Sequence, residues 1–174
     1  MSRLQTFFLL SAALVSWWTS MAQNSNTSNA KSVISLTITA VHDSVKAGTP
    51  ILVKITLKNI SNHDIKLARD NAGRDSHLDV RDADGKLAPD TLLGSVWNGH
   101  VANPAPAGLP IEYLEGNLVI GTLKPQDTDT WEVDASKFYE MSHSVKYVIQ
   151  ARWRDPESLS LVVKSNTITV TVTP

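Results

Sequence analysis

The feature that most constrains the fold of this chain is a repeated alternation of apolar and polar residues. Ile34, Leu36 and Ile38 alternate with serine and threonine, and the segment 51–58 repeats the pattern. Because successive side chains of a β-strand point to opposite faces, this period of two predicts strands with one buried and one solvated face. Further strands are predicted at 65–69, 78–82, 86–88, 117–123, 130–134, 145–153, 159–163 and 168–172.

Turn-forming residues separate these segments, and no long helical pattern interrupts them. Asn59-Ile60-Ser61-Asn62 is typical of a turn, because short polar side chains bond to their own backbone there. Asp84-Gly85 predicts a tight hairpin. Residues 136–141 predict one helical turn, with Asp134 or Ser136 as its cap. The predicted all-β fold is an immunoglobulin-like antiparallel β-sandwich of seven to nine strands.

The amino terminus has the layout of a secretory signal peptide. Arg3 precedes an apolar run from Phe7 to Trp18, and Ser20-Met21-Ala22 follows it. The run is shorter than the roughly 20 residues that span a bilayer. We therefore expect residues 1–22 to be removed near Ala22, leaving a secreted or periplasmic protein with no stable membrane insertion.

The rest of the chain is predicted to be one domain behind a short leader. Residues 23–32 are rich in serine and asparagine and poor in apolar residues, so they predict a flexible leader. Residues 33–174 predict the β-sandwich domain. Within it, residues from about 93 to 116 lose the alternation and collect glycine and proline, which indicates an irregular insertion of the kind that often carries function.

Composition argues against several classes of function. The formal net charge is −1, whereas a dedicated nucleic-acid binder needs an excess of basic residues to neutralise phosphates. The chain has no cysteine, so it has neither a disulfide framework nor a cysteine that a lipid could modify. We expect a monomer with no nucleic-acid partner.

No residue pattern predicts a catalytic or metal centre. Ser142-His143-Ser144 has suitable residue types but lacks a nucleophile elbow, and a turn before a strand explains it better. An acidic cluster lies between residues 70 and 84 and consists of Asp70, Asp75, His77, Asp79, Asp82 and Asp84. It lacks the spacing of a calcium loop, and its residues alternate as the solvated face of a strand and hairpin would. We therefore expect no enzyme activity, no metal and no cofactor.

The irregular insertion supplies the candidate binding residues. Trp97, Asn98, His100 and Tyr113 combine aromatic and polar side chains on one loop, which is typical of recognition surfaces. Packing of Trp97 over an open end of the sandwich explains that residue equally well. Trp131 and Trp153 lie within strand patterns and are expected in the core. Were they exposed on a sheet face, they would favour glycan binding.

Several segments resemble bacterial immunoglobulin-like domains that include the BsuPI-type proteinase inhibitors. They are Val53 to Asn59, Ser61, Leu78 to Lys86, Leu123-Lys124-Pro125 and Tyr147 to Ala151, within a similarity covering roughly Val33 to Pro174. The resemblance implies the sandwich fold and proteinase inhibition. The sequence departs from the pattern at Ser144, where such domains commonly carry glycine.

Taken together, these features favour a secreted, non-catalytic binding module. Its expected role is protein–protein interaction, and proteinase inhibition is the most specific form of that expectation. The alternative is a carbohydrate-binding or cell-wall-associated accessory domain, and a hydrolase is a more distant one. The partner is accordingly an unknown protein or a glycan.

Overall fold

The computed structural model describes residues 31–69, 77–100, 119–143, 145–158 and 160–174. Over these residues the chain is mainly β-structure, with nine strands in three sheets and one short α-helix. The strands are β1 (Ile34–Ala40), β2 (Ser44–Lys46), β3 (Leu52–Asn59), β4 (Ile65–Arg69), β5 (His77–Arg81), β6 (Val119–Leu123), β7 (Thr128–Asp134), β8 (Lys146–Arg154) and β9 (Val162–Thr173), and the helix is α1 (Leu92–Trp97).

The pairing is antiparallel at every interface except one. The three-stranded sheet has the order β1-β3-β7, and the four-stranded sheet has the order β2-β9-β8-β5. The short strand β2 runs parallel to β9. Strands β4 and β6 form a separate antiparallel pair. Apolar side chains from all three sheets join one buried cluster, so the described residues share a single hydrophobic core.

The predicted alternation is confirmed in the strands that build this core. Ile34, Leu36 and Ile38 of β1 are buried. Every second residue of β8 is buried as well, from Tyr147 to Trp153. Trp131 and Trp153 are each 8% exposed and pack with their ring centroids 5.3 Å apart, so both tryptophans lie in the core as predicted.

Asn59 holds the corner where the antiparallel ribbon of β3 and β7 continues into that of β4 and β6. Its side chain is fully buried. The amide Nδ2 donates to the carbonyl oxygens of His63, at 2.8 Å, and Leu123, at 2.9 Å. Oδ1 accepts from the N–H and the hydroxyl of Ser61, at 2.8 and 2.7 Å. Asn59 is thus the last residue of a strand, and its side chain organises the turn predicted there.

Asp155 ties the start of β1 to the connection between β8 and β9. Its side chain is 1% exposed and accepts hydrogen bonds from the Ser32 hydroxyl and the N–H groups of Val33, Glu157 and Ser158. Burial alone would raise the pKa of Asp155, but these donors outweigh it, and the pKa lies below its ordinary value. The carboxylate therefore stays ionised and joins two distant segments.

The final strand differs from its prediction. The polar residues 164–166 were expected to separate two strands, but β9 is continuous through them. The ladder with β8 shifts register between Gln150 and Arg152, and there the Ser165 hydroxyl accepts from the Ala151 N–H at 2.9 Å. Asn166 exchanges two hydrogen bonds with the Ile38 backbone of β1, each at 2.9 Å. A side chain that satisfies displaced backbone groups lets the strand pass through a bulge.

Local predictions near the middle of the chain need smaller corrections. Part of the predicted irregular insertion is helical, because residues 92–97 form α1. Residues 86–88 contribute only an isolated bridge, between Arg81 and Leu87, and Gly85 supplies the positive φ of the hairpin at 78°. The predicted helical turn is a 3-10 turn over Ala135–Lys137, and Asp134 is its cap. Residues 1–30 and 101–118 lie outside the described residues. The predicted signal peptide, most of the predicted leader and most of the predicted insertion fall within these two ranges.

Replacing Asn59 by alanine is expected to lower the free energy of unfolding by about 2–4 kcal/mol, because two carbonyls and a backbone N–H lose buried partners. Asn59→Asp keeps the size but turns the donor into an acceptor facing two carbonyl oxygens, so it is expected to cost at least as much. Urea denaturation measures both. Asn62→Ala, in the exposed part of the same turn, is the control, and equal stability of all three variants would contradict the role of Asn59.

The contribution of Asp155 is expected to depend on pH with a defined sign. Its pKa is depressed in the folded state, so the stabilisation is full above the unfolded-state pKa and is lost as pH falls through the folded-state value. Asp155→Asn is expected to cost about 2–4 kcal/mol at pH 7. The difference from the native chain should shrink below about pH 4. Denaturation curves at several pH values test this, with the exposed Asp84→Asn as control, and a difference constant with pH would contradict it.

Candidate functional site

A cleft of about 670 Å³ lies beside the edge strand β5. Strand β5 forms one side of it, and residues 87–90 and 98–100 form the other. Residues 87 and 88 adjoin β5 through the bridge between Arg81 and Leu87 and the hydrogen bond from the Ala88 N–H to the Val80 carbonyl oxygen. Its polar lining comes chiefly from His77, Asp79, Arg81, Asp90, His100 and Arg152.

Asp90 fixes the orientation of two residues in this lining. Its Oδ2 lies 2.6 Å from Nδ1 of His100, and its Oδ1 accepts from the Asn98 amide at 2.8 Å. The Asp90 side chain is 13% exposed, whereas that of His100 is 67% exposed. A mostly buried carboxylate therefore positions an exposed imidazole at the mouth of the cleft.

Tyr139 closes the edge of the sheet at the back of the cleft. Its hydroxyl donates to the Leu78 carbonyl oxygen of β5, so a side chain takes the place of a further strand. Burial raises the pKa of Tyr139, the Asn98 side-chain hydrogen bond opposes that rise, and the charge of Asp90 adds to it. The phenol thus remains protonated at neutral pH and acts there as a hydrogen-bond donor.

The outward side chains of β5 form the floor. Asp79 Oδ1 lies 2.7 Å from Nε of Arg81, and Arg81 also donates to the Gly85 carbonyl oxygen at 2.9 Å. Partial burial, with the positive charges of Arg152 and Arg154, lowers the pKa of His77. His77 is therefore mainly neutral at pH 7, and the free positive charge beside it belongs to β8.

Helix α1 carries Asn98 and His100 to the cleft by packing against the segment after β7. The Thr91 side chain caps the helix, accepting from the Gly94 N–H at 3.0 Å, and its hydroxyl donates to the Lys137 carbonyl oxygen at 2.6 Å. A Cβ atom at position 94 would overlap the Phe138 carbonyl group. The Trp97 ring packs on Phe138 with centroids 4.8 Å apart. Glycine is therefore needed at 94 for the close approach of the two backbones.

The structure brings together two of the four predicted binding residues. Asn98 and His100 line the cleft. Trp97 is half-buried against Phe138 and the core. Tyr113 lies outside the described residues. Sequence reasoning did not select Asp90, Tyr139 or Arg152, which approach the cleft from separate parts of the chain.

A smaller hollow of about 300 Å³ adjoins the cleft, and His77 lines both. Its walls include Lys66 of β4, together with Trp153, Arg154 and Pro156. Polar and cationic side chains thus continue from the cleft across β8 towards β4.

The described residues provide no metal cluster, and the described lining of the cleft has no hydroxyl or thiol nucleophile of the serine, threonine or cysteine type. In that part of the chain, no group of three or more histidine and acidic residues is placed to hold an ion. Asp70 and Asp75 of the acidic cluster lie outside it. The described lining of the cleft contains no serine, threonine or cysteine that the Asp90–His100 pair could activate there.

Comparison with known proteins does not assign this chain to a family. No protein-family description matches it, and no curated protein matches it significantly. Within the described residues, no helix is both long and apolar enough to cross a membrane. The interpretation of the cleft therefore rests on its own chemistry.

Gly94→Ala is expected to displace α1, because the added methyl group meets the Phe138 carbonyl and not a flexible side chain. We expect the free energy of unfolding to fall by about 1–3 kcal/mol. The amide resonances of Asn98 and His100 should shift in ¹H–¹⁵N spectra. Gly121→Ala is the matched control, since a methyl group there has open space around it. A Gly94→Ala protein with native stability and unshifted resonances would contradict the close-packing role.

Proposed function

We propose that this chain is an exported, non-catalytic protein-binding module whose recognition surface is the cleft between β5 and residues 87–90 and 98–100. The observation that carries the proposal is the Asp90 carboxylate holding Asn98 and His100 at the mouth of an open polar cleft. Side chains held in this way lose little conformational entropy on binding, which favours specific recognition. Proteinase inhibition is the first specific activity to test.

We further propose an immunoglobulin-like sandwich as the fold that presents this surface. The order β5-β8-β9 corresponds to strands C, F and G of such domains, and β1-β3-β7 corresponds to A, B and E. The pair of β4 and β6 is an addition to that plan. The signal-like sequence of residues 1–22 supports export to the periplasm or the cell exterior.

The buried tryptophans favour a protein partner over a glycan. Glycan binding by a sheet face would need exposed aromatic rings, but Trp131 and Trp153 are buried against each other. Trp97 is half-buried on Phe138. The accessible groups of the cleft are instead histidine, asparagine and charged side chains.

The test is a titration of the purified protein, expressed from its full sequence, against secreted serine and cysteine proteases. We expect stoichiometric loss of protease activity while this chain remains intact. Asn98→Ala with His100→Ala should weaken inhibition about tenfold or more, as expected for residues at the centre of an interface. Asn62→Ala with His63→Ala removes the same residue types from an exposed turn and is the control.

Two results would count against the proposal in different ways. Undiminished activity across the protease panel would overturn proteinase inhibition as the activity. Inhibition that is equally strong in both double variants would overturn the cleft as the recognition surface.

A further inference from the structure

The two outer sheet faces of the protein differ sharply in charge. On the three-stranded sheet, Lys54 of β3 lies directly opposite Glu132 of β7, and Lys58 and Asp134 share the same outer face, so two cations stand against two carboxylates. The strands of the four-stranded sheet contain a single acidic residue, Asp79, which is paired with Arg81. Their cationic residues, all exposed, are Lys46, Arg81, Lys146, Arg152, Arg154 and Lys164. We call this outer face of β2, β9, β8 and β5 the basic face.

The cations are concentrated where the basic face meets the cleft. Arg152 of β8 lies directly opposite Lys164 of β9 and, on its other side, opposite His77 of β5. Arg154 follows two residues later on the same face. Within the described part of the chain, Arg152, Arg154 and Lys164 have no hydrogen-bonded or ion-paired partner. Like charges placed directly opposite each other in a sheet are destabilising, and an anionic ligand would remove that cost.

We propose that the basic face, together with the adjoining cleft, binds an extended acidic segment of a partner protein. This inference rests on the proposed binding function and names the chemistry of the partner. Arg152, Arg154 and Lys164 would pair with its carboxylates, while Asn98 and His100 would contact it from the wall of the cleft.

The spacing of the cations fits a strand-like ligand. Arg152 and Arg154 are two residues apart on one strand, so their Cα atoms are separated by about 6.5–7 Å. Carboxylates at alternate positions of an extended peptide have the same separation. Neighbouring strands lie about 5 Å apart, so Lys164 can reach the same peptide from the side. Charge-assisted pairs of this kind supply both affinity and register.

The described lining of the cleft contains two carboxylates, Asp79 and Asp90. Asp79 is paired with Arg81, and Asp90 is hydrogen-bonded to Asn98 and His100. Against these two, the cleft and the adjoining part of the basic face carry Arg81, Arg152, Arg154 and Lys164, so the local charge of the described residues is positive although the whole chain has a formal net charge of −1. Segregation of charge, and not its total, produces the complementary surface.

The experiment measures fluorescence anisotropy of a labelled 12-residue peptide of alternating glutamate and serine, with a glutamine–serine peptide as the uncharged control. We expect the acidic peptide alone to bind, and more weakly as salt is added. Arg152→Gln with Lys164→Gln should weaken binding about tenfold. Lys54→Gln with Lys58→Gln removes the same charge from the opposite outer face and should leave binding unchanged. Thermal unfolding confirms that both double variants fold.

Absence of binding to the acidic peptide would overturn the inference, as would equal weakening by the two double variants. A sulfated polysaccharide and a single-stranded oligonucleotide serve as competitors of the peptide for the basic face. If either displaces it at a concentration of negative charges much lower than that of the peptide's own carboxylates, the choice of a protein segment is overturned. Protease inhibition without peptide binding would leave the proposed function standing and remove this inference alone. Peptide binding that does not change in the Asn98→Ala, His100→Ala variant would instead count against the cleft.

Discussion

The alternation of side chains along β8 is the constraint on which both the core and the proposed recognition surface depend. Tyr147, Ile149, Ala151 and Trp153 face inward and are buried, and β8 pairs with β5 on one side and β9 on the other. The intervening residues must then face outward, and among them are Lys146, Arg152 and Arg154. The hydrophobic effect that buries one face therefore also gathers the cations on the other. Strand β8 links the stability of the domain to its surface chemistry.

Polar side chains form hydrogen bonds with the backbone groups that the strand ladders leave without partners. At the ends and bends of strands, backbone groups lose their ladder partners and need others when they are buried. Asn59 supplies them at the corner between the two ribbons, Asp155 supplies them at the start of β1, and Asn166 bridges β9 to the Ile38 backbone. No buried side-chain nitrogen or oxygen of the described residues lacks a hydrogen-bond partner. The same principle extends to the cleft, where Asp90 holds Asn98 and His100.

Sequence reasoning predicted the strands well because period two is a local signal. It placed β4 at residues 65–69 and the inward residues of β1 and β3 correctly. In the β8 segment it was correct from Tyr147 to Trp153, but Val145, which was expected on the same face, is 37% exposed. It missed α1, because six residues give too short a helical pattern to recognise, and it divided β9, because a polar bulge resembles a turn. Of the residues that form the cleft, sequence reasoning selected Asn98 and His100 but not the others. Asp90, Tyr139 and Arg152 meet through long-range packing, which no local pattern encodes. The alternation along β8 does indicate from sequence alone that Arg152 faces outward.

The central claim is that the cleft and the basic face form one recognition surface. Mapping ¹H–¹⁵N chemical-shift changes during titration with an acidic peptide tests it most directly, because the method reports every backbone amide separately. We expect shifts concentrated in β5, β8, the first part of β9 and residues 98–100, with β1, β3 and β7 unchanged. Shifts confined to the three-stranded sheet, or spread evenly over both sheets, would contradict it.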